Sequence, residues 1–156
     1  NQRVGLNMFL SGLFLGIGTA FYVVVNAIMV AVFQAFFYQY NSLFDSIKGI
    51  WIHGIYEIFG IIIEAAAGYI IGASILFPGT LKRFQSFKIG IRDAFYIFIS
   101  TIPFTIMAAF LEGYVTRYSN KMPTIFCFAI IIFSLVSISY YYLFLPFVVA
   151  KKHNLR

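Results

Sequence analysis

Apolar residues occur along this chain in long runs that are separated by a few short polar connections. The first run, from Val4 to about Phe37, contains no charged residue. A helix of that length would be about 50 Å long, whereas the hydrocarbon core of a bilayer is about 30 Å thick. The run therefore predicts two elements: a spanning helix over residues 4–25 that breaks near Asn26, and a short re-entrant or interfacial helix over residues 27–40.

Three further apolar runs predict spanning helices over residues 50–77, 94–116 and 123–150. Together these runs predict an all-α, polytopic integral membrane helix bundle with about four main spanning helices and one short helix. We expect residues 1–156 to form a single membrane domain. The chain begins with Asn rather than Met, which indicates the C-terminal part of a longer chain.

The composition excludes most soluble functions. Hydrophobic residues make up 62% of the chain and charged residues 10%, whereas a soluble domain is about 25% charged. Once the spans are counted, too little sequence remains for a soluble nucleotide-binding or hydrolase domain. The net charge of +6 lies in connections and tails, where Lys and Arg act as topology signals. We therefore expect no nucleic acid partner, no cofactor and no enzymatic activity.

The basic residues predict the orientation. The 79–93 connection carries four of them, the C-terminal tail three, the turn after Thr116 two and the 41–49 connection one. The positive-inside bias therefore predicts that the basic loop 79–93 and the C-terminus are cytoplasmic. The cations of the two predicted cytoplasmic segments are Lys82, Arg83, Lys88 and Arg92 in the loop, and Lys151, Lys152 and Arg156 in the tail.

Three carboxylates fall inside predicted spans: Glu57, Glu64 and Glu112. A charged side chain at the centre of a spanning helix costs about 2.5–3.5 kcal/mol on insertion scales, so such residues face protein or water. Helical spacing places the first two on a polar and small-residue stripe of the second main span, and the third on a similar stripe of the next span. The stripe of the second main span consists of His53, Glu57, Gly60, Glu64, Gly68 and Gly72. The stripe of the next span consists of Thr101, Thr105, Ala108, Glu112 and Thr116.

Because consecutive spans are antiparallel, His53, Glu57, Glu112 and Arg117 are predicted to converge at one level in the outer half of the membrane, with Glu64 deeper. This polar cluster fits an ion or proton site, a clasp for a partner's helix, or interhelical hydrogen bonding that holds the bundle in register. No metal site is predicted, because the His-Glu-x-x-His motif is absent.

Glycines recur at close-packing spacing on two of the predicted spans. Gly12 and Gly16 form a Gly-x-x-x-Gly step on the first, and Gly68 and Gly72 form another on the second. Such steps allow the backbones of neighbouring helices to approach closely. For the first pair, we favour packing within the bundle over a dimer face.

Several motifs in this sequence are similar to those of one family. They include His-Gly-Ile-Tyr-Glu at 53–57, a small-residue segment at 65–79, and Phe-Leu-Glu-Gly-Tyr-Val-Thr at 110–116. The start of the chain, from Asn1 to Asn26, and the Tyr-Tyr-Leu-Phe-Leu-Pro string at 141–146 also fit. The sequence thus resembles the stage II sporulation protein M family over its whole length. It departs from the family pattern at Ala27, where Gly is usual, and at Glu64, where a small residue is usual.

The resemblance implies a multi-pass protein of the bacterial inner (cytoplasmic) membrane that is not an enzyme. In spore-formers, members of this family take part in engulfment and are thought to position peptidoglycan hydrolases. The implied function is a membrane scaffold that recruits such envelope-remodelling partners. The intramembrane carboxylates leave open a second function, a small permease or proton- or cation-coupled transporter. Expected partners are membrane lipid, other membrane or envelope proteins, and a second copy of the chain.

Overall fold

The computed structural model describes residues 2–152 and is built from helices, with no strand among those residues. Asn1 and Arg156, which the sequence motifs and the charge count include, lie outside the described residues. Four helical segments are long and apolar enough to cross a membrane: Ile17–Gln39, Leu43–Leu76, Arg83–Tyr118 and Thr124–Lys152. A further helix precedes them. The predicted all-α fold class with four long apolar helices is therefore confirmed.

Six α-helices and three helical turns of other types occur in the described residues. The α-helices are α1 (Gln2–Ser11), α2 (Ile17–Gln39), α3 (Leu43–Leu76), α4 (Arg83–Phe110), α5 (Thr124–Ser139) and α6 (Leu145–Lys152). A π-helical turn, Leu111–Val115, and a 3-10 turn, Thr116–Tyr118, extend α4. A second π-helical turn, Tyr140–Phe144, joins α5 to α6.

The long helices alternate in direction, and α3 lies at the centre of the bundle. One buried cluster joins α1, α3 and α4 through Phe9, Ala67, Ile71 and Ala94. A second buried cluster joins α3, α4 and α5 through Ile55, Tyr56, Ala108 and Ile138. Both clusters contain residues of α3, so this helix organises the core, while large apolar side chains cover the outside of the bundle.

The first apolar run breaks at a different place from the one predicted. Helix α2 is continuous through Asn26, whose Nδ2 donates a hydrogen bond to the Tyr22 carbonyl at 2.8 Å. The polar side chain is thus satisfied one turn back within its own helix and does not interrupt it. The predicted 4–25 span and the separate 27–40 helix were therefore wrong. The short helix is α1, and residues 27–39 belong to a helix long enough to span.

The actual break lies at Gly12–Gly16, where the chain packs against α3. Backbone φ is positive at Leu15 (57°) and Gly16 (81°), a conformation that ends the helix and reverses the chain. A Cβ at Gly72 would lie 2.6 Å from the Gly16 nitrogen, so the turn rests directly on the α3 backbone. Across the turn, Thr19 Oγ1 donates to the Met8 carbonyl at 2.9 Å.

Two other helices begin earlier than the predicted spans. Helix α3 starts at Leu43 rather than at residue 50, and α4 starts at Arg83 rather than at residue 94. Lys and Arg are good helix formers, so a helix continues through charged residues that mark the predicted membrane boundary. The predicted basic loop 79–93 is therefore a short connection followed by the first turns of α4.

Candidate functional site

The polar stripes of α3 and the α4 segment face each other, and two hydrogen bonds join them. Glu64 Oε1 and Thr101 Oγ1 are 2.9 Å apart, and both residues are buried. Closer to the 40–42 and 119–123 connections, His53 Nδ1 and Thr116 Oγ1 are also 2.9 Å apart. The two pairs lie at different depths, so the two helices are linked along much of their shared length.

Glu57 and Glu112 share a cavity of about 410 Å³ at the side of the bundle. Glu57 is half-buried and Glu112 is exposed. The wall of this cavity, named here the lateral cavity, consists of Gln2, Glu57, Ile102, Thr105, Ile106, Ala109 and Glu112. Its polar groups come from α1, α3 and the α4 segment, so three elements build it.

Arg117 does not join these carboxylates in an ion pair. It is exposed in the 3-10 turn, and within residues 2–152 the one ion pair joins Arg92 to Asp93 at 3.0 Å. The four residues predicted to meet at one level are instead divided. His53 bonds to Thr116, the two glutamates line the lateral cavity, and Arg117 faces outward.

Glu64 is the most buried of the three intramembrane acids, with 4% of its surface exposed. Its carboxyl group packs on the α1 backbone, in the volume that a side chain at Gly5 would fill. A second cavity of about 10 Å³ lies beside it, lined by Tyr56, Glu57, Gly60, Ile61, Glu64 and Thr105. That volume is about one water molecule. Glu57 and Thr105 line both cavities, so a row of polar groups leads from the lateral cavity to Glu64.

Two tyrosines that the sequence analysis includes in motifs but not among the site residues connect the last helical segment to this site. Tyr56 shares a hydrogen bond of 2.7 Å with Ser137 of α5. Tyr142, in the π-helical turn, shares one of 2.8 Å with Ser100, next to Thr101. The sequence contains one indication of this role, since both tyrosines lie in long apolar runs. A buried Tyr hydroxyl usually has a hydrogen-bond partner, so each is expected to bond to a neighbouring helix.

The close-packing glycines meet one another within the chain. A Cβ added at Gly12 would overlap the Gly68 backbone, and one at Gly68 would lie 2.6 Å from the Met8 carbonyl oxygen. Gly16 and Gly72 are in similar contact. The two glycine steps thus form the seam between the α1–α2 turn and α3.

The predicted basic residues lie together at one end of the bundle. Lys82, Arg83, Lys88 and Arg92 are all exposed, on the 77–82 connection and the first turns of α4. Arg92 pairs with the exposed Asp93, an interaction that contributes little to stability at a solvated surface. Within residues 2–152, no group of three or more His, Cys, Asp or Glu side chains is arranged to hold a metal ion.

Comparison with known families identifies a match. The family model described as Stage II sporulation protein M matches residues 1–117, from α1 to the 3-10 turn after α4. This range includes the three intramembrane glutamates and the motifs at 53–57 and 110–116, while the 141–146 string lies beyond it. No curated protein and no solved structure matches the chain. Since the match covers 117 of the 156 residues, the chain belongs to the stage II sporulation protein M family.

Proposed function

We propose that this chain is a non-enzymatic scaffold of the bacterial inner membrane that recruits or positions envelope-remodelling proteins, such as peptidoglycan hydrolases. The observation that carries this proposal is the shortness of the connections. Residues 40–42, 77–82 and 119–123 join the four long helical segments, so the described residues hold no domain outside the bundle. Partners would therefore bind to helix faces and to the two ends of the bundle.

The lateral cavity is the face best suited to hold a partner's helix. It opens at the side of the bundle and carries two carboxylates, Glu57 and Glu112, with the Thr105 hydroxyl between apolar walls. A spanning helix that presents Lys, Arg, Asn or Ser at this depth would find acceptors for its donors there. Polar groups within a membrane pair with each other because lipid offers no alternative partner.

Affinity purification from native membranes tests the scaffold. The full-length protein, extracted in mild detergent, should retain cell-wall hydrolases or other envelope proteins at near-stoichiometric levels. Folded Glu57→Ala protein should recover less of the partner, whereas Asp45→Ala, which removes an exposed acid from the first turn of α3, should recover as much as the wild type. If Glu57→Ala recovers as much of the partner as the wild type, Glu57 does not bind a partner's helix. Purification of a homo-oligomer alone would contradict the scaffold.

A second candidate function is a small permease or proton- or cation-coupled transporter. The two cavities that share Glu57 and lead towards buried Glu64 favour it specifically. Purified protein in liposomes, under an imposed proton or sodium gradient, should then show flux that Glu57→Gln or Glu112→Gln abolishes. Absence of flux under both gradients would support the scaffold instead.

A further inference from the structure

The Thr101 hydroxyl lies between two acceptors but has a single proton to donate. Its Oγ1 is 2.7 Å from the Phe98 carbonyl oxygen and 2.9 Å from Glu64 Oε1. A backbone carbonyl can only accept, so a Thr101 proton directed at Phe98 leaves the contact with Glu64 without a hydrogen. A separate two-centre hydrogen bond at each contact requires a second proton, which a protonated Glu64 supplies. The geometry therefore fits a Glu64 carboxylic acid that donates to Thr101, which in turn donates to Phe98.

Among residues 2–152, no Lys, Arg or His side chain forms an ion pair with the Glu64 carboxyl group. On one side its carboxyl group is packed against Gly5 of α1, and the neighbouring α4 residue, Thr101, is itself buried. A buried carboxylate without a cation is so costly that such a group takes up a proton instead.

We infer that Glu64 is a buried proton-binding site, and that its proton exchanges with the lateral cavity by way of Glu57. In this exchange the Glu64 O–H bond breaks and its proton passes to a water in the 10 Å³ cavity. That water releases a different proton to the Glu57 carboxylate. One proton moves outward, and one negative charge moves from Glu57 to Glu64, so atoms and charge balance.

Each element packed against Glu64 contributes groups that face its carboxyl group. Helix α1 contributes Gly5 and α4 contributes Thr101, neither of which has a titrating side chain. On α3, Glu57 lines the same small cavity. From the π-helical turn before α6, Tyr142 reaches Ser100, next to Thr101. Glu57 is thus the carboxylate placed to relay the proton. This inference is independent of the proposed scaffold, because it needs no partner.

Infrared spectroscopy of the purified chain in liposomes tests the site directly. A protonated carboxylic acid has a C=O stretching band that is separate from the bands of carboxylates and that shifts in D₂O. At neutral pH the wild-type protein should show this band, and Glu64→Gln should lack it. Thr101→Val should move the band to the frequency of a more weakly hydrogen-bonded acid. In Glu57→Gln the band should remain, but its shift after transfer to D₂O should be several-fold slower.

Two controls keep the outcomes distinct. Asp93→Asn removes an exposed acid outside both cavities and should change neither the band nor its exchange rate. Circular dichroism and gel filtration establish that each variant retains its helices and its size. A wild-type spectrum without a band that Glu64→Gln removes would overturn the site. Equal exchange rates in the wild type and in Glu57→Gln would overturn the route. Neither result bears on partner recovery, so the scaffold stands or falls separately.

Discussion

Hydroxyl groups inside the bundle differ in whether they reach another helix. Ser137 Oγ shares a hydrogen bond with Tyr56 on α3 and also donates to the Ser134 carbonyl at 3.0 Å. Ser134, one turn earlier on α5, is buried, and its hydroxyl has no hydrogen-bond partner in the described residues. The two serines lie on one helix and have the same chemistry, yet only Ser137 holds two helices together.

We therefore expect different effects on stability from the same substitution at these two residues. Ser137→Ala leaves the buried Tyr56 hydroxyl without its acceptor and should lower the free energy of unfolding by about 0.6 kcal/mol, the average for interhelical hydrogen bonds in a membrane protein. Ser134→Ala removes an unpaired polar group and should leave stability unchanged or increase it. Denaturant-induced unfolding in mixed micelles measures both. Equal losses for the two variants would contradict the structure.

At the scale of elements, the α1–α2 turn and α3 are held together by backbone contact. Gly72 meets the turn so closely that a Cβ there would lie 2.6 Å from Gly16 nitrogen and 2.8 Å from the Leu15 carbonyl carbon. Gly60, three turns earlier on α3, has no atom within 4 Å of the same hypothetical Cβ. One glycine is therefore required by a neighbouring backbone and the other is not.

This difference predicts how two Gly→Ala variants behave. Gly72→Ala forces the α1–α2 turn away from α3 and should destabilise the protein by about 1–3 kcal/mol, as overpacking of a tight core does. Gly60→Ala introduces no clash and should be neutral or stabilising by up to about 1 kcal/mol, since Gly is unfavourable within a helix. The measurement is the unfolding midpoint of each variant. If Gly60→Ala lowers the stability as much as Gly72→Ala does, close backbone contact at Gly72 is not what makes that glycine necessary.

At the scale of the whole molecule, charge separates the two ends of the bundle. The 77–82 connection, the first turns of α4 and the end of α6 carry most of the cations, including Lys82, Arg83 and Lys151. Alternation of the long helices places these segments at one end, and the 40–42 and 119–123 connections at the other. The positive-inside rule then predicts that the basic end is cytoplasmic.

Single-cysteine labelling measures this orientation. In a Cys127→Ala background, Thr80→Cys and Asn120→Cys place one thiol in an exposed position at each end. On intact spheroplasts, a membrane-impermeant maleimide should label the cysteine at position 120 but reach the one at position 80 only after lysis. The reverse pattern would overturn the predicted orientation. Labelling of both cysteines after lysis is the control for thiol reactivity.

Local patterns in the amino-acid sequence were sufficient to predict the helical class, the long apolar segments and the polar stripes on two of the helices. These properties follow from the length of apolar runs and from the period of polar residues along one helix, which are local. The prediction was wrong in the first run, because it placed the break near Asn26, whereas the break lies at Gly12–Gly16. The glycine break packs against α3, a helix that is distant in sequence, and this contact is not visible in a local pattern.

The pairing between members of the two stripes depends on the packing of helices that are distant in sequence. Helical periodicity gives the direction of a side chain but not the register between two helices, and that register joins Glu64 to Thr101 and His53 to Thr116. It also divides the expected cluster, leaving Glu57 and Glu112 on a cavity and Arg117 outside. The sequence thus determined which residues are available inside the bundle. Packing between distant segments decided their partners, because contacts across helices depend on the three-dimensional fit of backbones.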